Sequence, residues 1–184
     1  MHTIVLIGYR CTGKTSVAQQ LGKRLGLPVA DTDAVITQQT GKSIAEIFAE
    51  SGENGFRDIE ESVVAAVLND AQRDGNAFIL STGGGVVLRQ TNRQRLRNAG
   101  KVYWLTAMPE TIAERLKADV QSQQQRPGLT GLPPLDEIKT LLQERNPLYA
   151  ETAHKTIASD NLTPVEIAGQ IAEEAVPVIS ALLD

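Results

Sequence analysis

The stretch Gly8-Tyr9-Arg10-Cys11-Thr12-Gly13-Lys14-Thr15, which reads G-x-x-x-x-G-K-T, constrains this chain more than any other. Before it runs Thr3-Ile4-Val5-Leu6-Ile7, a short apolar run rich in β-branched residues, the pattern of a buried strand. After it, residues 16–25 carry Val17, Leu21 and Leu25 four apart, the spacing of one helical face. Strand, glycine loop and helix in that order are the setting of a phosphate-binding P-loop. Gly8 and Gly13 lack a Cβ, so the backbone can wrap a phosphate chain and aim its N–H groups inward. The helix start adds unpaired N–H groups and a partial positive charge. In this pattern Lys14 reaches the β- and γ-phosphates, and the Thr15 hydroxyl ligates Mg²⁺.

The rest of the chain alternates. Strands are expected at 28–30, 77–81, 101–106 and 155–158, besides the first. Helices are expected at 34–40, 56–73, 92–99 and 164–183. Ser43-Ile44-Ala45-Glu46 is a capping box that opens a further helix, Gly52 and Gly55 are expected to break the chain, and Pro109 suits the first position of another helix. This pattern predicts an α/β three-layer sandwich: a five-stranded parallel sheet flanked by helices in one domain over residues 1–184. Residues 33–73 form a helical excursion between the second and third strands. Residues 119–134, polar and then rich in Gly and Pro, read as a loop containing Arg126, either a lid over the nucleotide or a surface insertion.

Composition excludes several function classes. With 184 residues and a net charge of −4, nucleic acid is a poor partner. Cys11 is the only cysteine, so there is no intrachain disulfide and no cysteine metal site, and His2 and His154 are too few and too far apart for a zinc site. The chain enters its first strand by Thr3, and no apolar run approaches membrane-spanning length. A cytoplasmic, monomeric enzyme acting on small molecules is expected, with no membrane partner.

In an open α/β sheet, ligands bind beyond the carboxyl ends of the strands. The P-loop, Asp31 and Asp33, and Gly83-Gly84-Gly85 all sit at such ends. Two carboxylates two residues apart in an extended segment share a side. One can support Mg²⁺ through water while the other takes a proton from a substrate hydroxyl. The same residues also suit a helix N-cap pair. Three glycines suit backbone N–H groups against a polar ligand, or a plain tight turn. Arg57 lies three and four residues before Glu60 and Glu61, either of which can orient it as a carboxylate fork or hold it as a surface ion pair. Arg145 precedes an expected helix end at Asn146-Pro147. Cys11 suits a small filler of the loop, with a redox role as the alternative.

The ordered set GYRCTGKT, DTD, TGKSIAEIF followed by GFRDIEE, STGGG, RP and ERNPLY resembles the shikimate kinase family, which has a P-loop kinase fold of the nucleoside-monophosphate-kinase type. The resemblance extends over nearly the whole chain. It implies ATP-dependent phosphorylation of the 3-hydroxyl of shikimate, with Mg²⁺, on the route to chorismate and the aromatic amino acids. It implies that Gly8, Arg10, Cys11, Thr12, Gly13, Lys14, Thr15 and Ser16 bind the nucleotide phosphates, with Thr15 and Asp31 serving the metal. Asp33 would hold shikimate hydroxyls, including the one phosphorylated. Arg57 and Arg145 would clamp the carboxylate, with Gly83, Gly84 and Gly85 around the ring. Arg115 would stack on adenine. Arg126 would close on the transferred phosphate and, with Lys14 and Asp33, carry catalysis. A kinase of another hydroxy acid such as gluconate, and a nucleotide-binding regulator without turnover, are the competing readings.

Overall fold

The computed structural model describes residues 3–118 and 132–180. Five parallel strands form one sheet: β1 (Thr3–Ile7), β2 (Val29–Asp31), β3 (Ile79–Ser81), β4 (Gly100–Thr106) and β5 (Lys155–Ala158), in the spatial order β2-β3-β1-β4-β5. Seven α-helices surround it among the described residues: α1 (Lys14–Leu25), α2 (Thr32–Thr40), α3 (Ile44–Asp74), α4 (Gln90–Ala99), α5 (Pro109–Ala118), α6 (Pro134–Thr152) and α7 (Pro164–Ser180). This is the predicted three-layer architecture.

β1 is central and every residue in it is buried. Successive side chains in a strand point to opposite faces, and β1 uses both. Ile4 and Leu6 join Val17 and Leu21 of α1 and Ile167 and Ile171 of α7 in one core. Val5 and Ile7 join Val64 of α3, Leu96 of α4 and Tyr149 of α6 in the other. Each such large side chain withdrawn from water contributes about 1.5–3 kcal/mol. A third cluster, with Ile36, Ile47, Phe56 and Val63, fastens α2 to α3 and holds the helical excursion.

Several boundaries differ from expectation for local reasons. The Ser43–Glu46 capping box forms with both reciprocal bonds and starts α3. Of the two expected glycine breaks only Gly52 interrupts that helix, with φ 68° and ψ −175°. Gly55 stays helical, and there a Cβ would lie 2.4 Å from that of Ser51, so its smallness serves close packing. Asp31 caps α2 by accepting from the Asp33 and Ala34 N–H groups at 3.0 and 3.4 Å. Asp33 therefore lies inside the first helical turn, and the expected extended segment carrying both carboxylates is not formed. A 3-10 turn at Val86–Leu88 precedes α4.

The helix carrying Arg145 does not end at Asn146. It continues through Pro147 to Thr152. Proline removes one helical hydrogen bond, but Tyr149 and Thr152 beyond it are fully buried. Arg97 Nη1 also donates to the carbonyls of Glu151, Thr152 and Ala153 at 2.7–3.3 Å, which satisfies the helix C-terminus. Packing outweighs the single lost bond.

Candidate active site

The P-loop closes β1 onto α1 through three residues with positive φ. Gly8 has φ 144°, and a Cβ there would stand 2.3 Å from the Leu105 carbonyl oxygen, so β4 leaves room for glycine only. Gly13 has φ 91° and caps α1. Cys11, at φ 62°, is the one non-glycine residue with positive φ among the described residues, a conformation that costs an L-residue energy. The loop gathers donors on one carbonyl: Tyr9 oxygen accepts from Lys14 Nζ at 2.7 Å and from Thr12 Oγ1 at 2.8 Å. Lys14 is thus buried and laid back over its own loop, where a phosphate oxygen can take the place of the carbonyl.

Two cavities meet at this loop. One, of about 390 Å³, is lined by the loop from Cys11 to Ser16 and walled by Arg115, Leu162 and Ile167. Arg115 reaches it from α5 by donating to the Ser159 carbonyl at 2.5 Å, to Ser159 Oγ at 3.0 Å and to the Cys11 carbonyl at 3.3 Å. The guanidinium plane is thereby fixed between the P-loop and the turn after β5. The other cavity, of about 510 Å³, shares Cys11, Lys14 and Thr15 with the first and adds Asp31, Asp33 and Gly84. The P-loop is their common wall, the arrangement a transfer between two substrates needs.

In the second cavity Asp31 Oδ2 accepts from Thr15 Oγ1 at 2.8 Å and from Ser81 Oγ at 2.9 Å. A hydroxyl and a carboxylate oxygen so close together suit a hard, oxygen-seeking cation. Among the described residues no cluster of three or more His, Cys, Asp or Glu side chains could cage a metal. The donor set therefore fits Mg²⁺ that takes most of its ligands from phosphates and water, as this ion does.

The three glycines work by leaving room rather than by unusual backbone angles. A Cβ on Gly83 would lie 2.7 Å from Asp33 Oδ1 and 2.8 Å from Glu60 Oε1. A Cβ on Gly85 would lie 2.2–2.4 Å from three atoms of the Arg57 guanidinium. The Gly83 N–H is already committed to Thr32 Oγ1 at 2.9 Å, so it is not the ligand-facing donor the sequence suggested. The Gly84 carbonyl accepts from the buried Tyr149 hydroxyl, and the same glycine packs on the backbone of Tyr9 and Arg10.

Arg57 packs on Gly85 of this turn, and Arg145 approaches it through a hydrogen bond with Tyr149, whose hydroxyl donates to the Gly84 carbonyl. Arg57 is 6% exposed and Arg145 5%. Arg57 Nη1 donates to Glu60 at 2.7 Å, while Nε and Nη2 donate to Glu53 at 3.3 and 3.1 Å. Burial works against the Arg57 charge, and the Glu60 and Glu53 carboxylates more than restore it, so its pKa lies above the ordinary arginine value. Glu61, the other expected partner, points elsewhere and pairs with Arg95 at 3.1 Å. Arg145 lies 5.8 Å from the Tyr9 ring centroid, and its buried Nε has no hydrogen-bond partner among the described residues. No ion pair of Arg145 occurs among them either.

Sequence reasoning missed Glu53, Ser81, Tyr9 and Glu137. Glu137 is 3% exposed and pairs with Arg10 at 3.0 Å. Its signal was available, since residues 137, 141, 145 and 149 stand four apart on α6 and all four are buried. Arg126 and residues 119–131 of the expected lid lie outside the described residues.

A family model described as shikimate kinase matches residues 10–176. The chain is 41% identical over 172 residues to a shikimate kinase of Symbiobacterium thermophilum, covering 93% of this chain and 94% of that protein. It is 43% identical over 174 residues to one of Thermodesulfovibrio yellowstonii, covering 95% of each. Among solved structures, a shikimate kinase from Acinetobacter baumannii in complex with shikimate superposes with a TM-score of 0.85 at 32% identity, covering 100% of this chain and 96% of that one. The P-loop on β1, the two cavities it joins, the paired arginines at the glycine turn and this agreement along nearly the whole length lead to one assignment: the chain belongs to the shikimate kinase family.

Proposed function

We infer that the chain is an ATP-dependent kinase that transfers a phosphoryl group to the 3-hydroxyl of shikimate, giving shikimate 3-phosphate and ADP, a step toward chorismate and the aromatic amino acids. The observation that carries this reading is the pair of buried guanidinium groups, Arg57 and Arg145, at a glycine turn packed on the P-loop. A buried guanidinium without a carboxylate is costly, and a small monocarboxylate placed at Arg145 relieves that cost.

The roles follow from position. The P-loop backbone and Lys14 hold the phosphates, with Arg115 against the adenine. Thr15 and, through water, Asp31 would hold Mg²⁺, which would supply charge neutralisation on the phosphate oxygens. Asp33, which lines the second cavity together with Lys14, accepts the proton of the attacking hydroxyl. Arg57 and Arg145 fix the carboxylate, and the glycine turn lets the ring lie close. Lys14 stabilises negative charge on the phosphoryl group in the transition state, and Arg126 is assigned the same work by family resemblance. The enzyme acts as a monomer in the cytoplasm on small molecules, without nucleic acid. No helix among the described residues is long and apolar enough to cross a membrane.

Coupled measurement of ADP release with Mg²⁺ tests this over shikimate, gluconate and a nucleoside monophosphate. Shikimate should be turned over far better than either. Preference for gluconate or the nucleotide would overturn the assignment.

A further inference from the structure

Arg57 is held by more negative charge than it carries. Glu60, fully buried, accepts from Nη1 at 2.7 Å and is the shorter, permanent partner. Glu53 lies along the Nε–Nη2 edge, where its Oε1 accepts from both nitrogens at 3.3 and 3.1 Å. That edge is one of the two from which a guanidinium offers paired N–H donors to a carboxylate. Two carboxylates against one guanidinium leave the trio with a net charge of −1. Glu53 also differs from Glu60 in its freedom: its side chain is 43% exposed against 0%. It sits directly after the Gly52 kink, at the start of the second segment of α3.

We propose that Glu53 is an internal competitor of the substrate carboxylate. It occupies the outer edge of Arg57 when no substrate is bound. It then either yields that edge or stays as a like charge beside the incoming anion, and both outcomes weaken binding. Glu53 therefore sets the affinity for carboxylate substrates below what Arg57, Glu60 and Arg145 alone would give. The proposal rests on the reading of Arg57 as the carboxylate grip. A purely orienting role for Glu53 predicts the opposite sign, because loss of an orienting partner would loosen the grip.

The test is Glu53→Gln, which keeps the shape and an acceptor but removes the charge, with Glu53→Ala as the second variant. The KM for shikimate should fall about two- to fivefold in both, the scale of an exposed ion pair, with kcat and the KM for ATP little changed. The gain should shrink as NaCl is raised from about 50 to about 500 mM, since an exposed charge is screened. Inhibition by the neutral carboxamide of shikimate should be the same in wild type and variants. An unchanged or raised KM for shikimate in both variants would overturn the proposal and leave the assigned function intact. Absence of shikimate turnover in the wild type would overturn both.

Discussion

Gly85 shows how a single residue can decide affinity through the room it leaves for another. Its missing Cβ is the space in which the Arg57 guanidinium lies. Gly85→Ala should push that group aside, lose about 1.5–3 kcal/mol of charge-assisted hydrogen bonding, and raise the KM for shikimate roughly 10- to 100-fold. The KM for ATP should hold, because the P-loop and Arg115 are untouched. Steady-state kinetics with each substrate varied in turn would check this, and a parallel rise in both KM values would contradict it. Asp33, proposed above to accept the proton of the attacking hydroxyl, is the complementary case. Asp33→Asn keeps the shape but cannot take a proton, so kcat should drop about 10²- to 10⁴-fold with the fold intact, as turnover assays and a melting curve would report. The sequence pointed to both residues, but it offered the glycines as N–H donors or a tight turn and did not show that Gly85 leaves room for Arg57. That distinction depends on where an arginine 28 positions away in the chain comes to rest, and no local pattern carries it.

Helices and strands were legible where a local signal acts alone. The capping box at Ser43, proline at the start of α5 and the β-branched run of β1 each formed as expected. Local signals failed where tertiary contacts outvote them. Pro147 reads as a helix end, yet burial of Tyr149 and the cap from Arg97 carry α6 five residues further. The chain then turns into β5 at His154, whose N–H donates to the Val102 carbonyl at 2.8 Å while its Nδ1 accepts from the Val102 N–H at 3.0 Å. That second bond needs Nδ1 unprotonated. Burial first, then the positive charges of Arg97 and Lys101, hold the His154 pKa below its ordinary 6.5. A lowered folded-state pKa means the unfolded chain binds the proton more readily. The contribution is therefore complete above about pH 6.5 and is lost as pH falls through the lowered value. Against His154→Asn, whose Oδ1 can stand in for Nδ1 and does not titrate, the wild type should lose melting temperature on acidification below pH 6.5. The burial of His154 is only partial and the residue as a whole is exposed, so the difference should be small. A constant offset between the two proteins from pH 8 to pH 5 would contradict this account.

At the scale of the whole molecule, alternation of strand and helix was enough to predict a parallel sheet covered on both faces. The order β2-β3-β1-β4-β5 was not readable, because neighbouring strands here are joined by crossovers rather than by turns. That order creates the site. It puts the ends of β1, β2 and β3 side by side, so that Thr15, Asp31 and Ser81 meet although residues 15 and 81 are far apart in the chain. It also leaves α6 free to press Glu137 on Arg10, Arg145 on Tyr9 and Tyr149 on Gly84 along a single buried stripe. The proposed phosphate side and carboxylate side of the site are thus two ends of one packed unit. The central claim is that this unit directs the phosphoryl group of ATP to the 3-hydroxyl of shikimate beside Asp33. Proton and phosphorus NMR of a reaction containing enzyme, ATP, Mg²⁺ and shikimate tests it most directly. The account predicts a single phosphomonoester on the 3-hydroxyl, formed in step with ADP. ADP released without phosphorylated shikimate, or phosphate found on another hydroxyl, would contradict it.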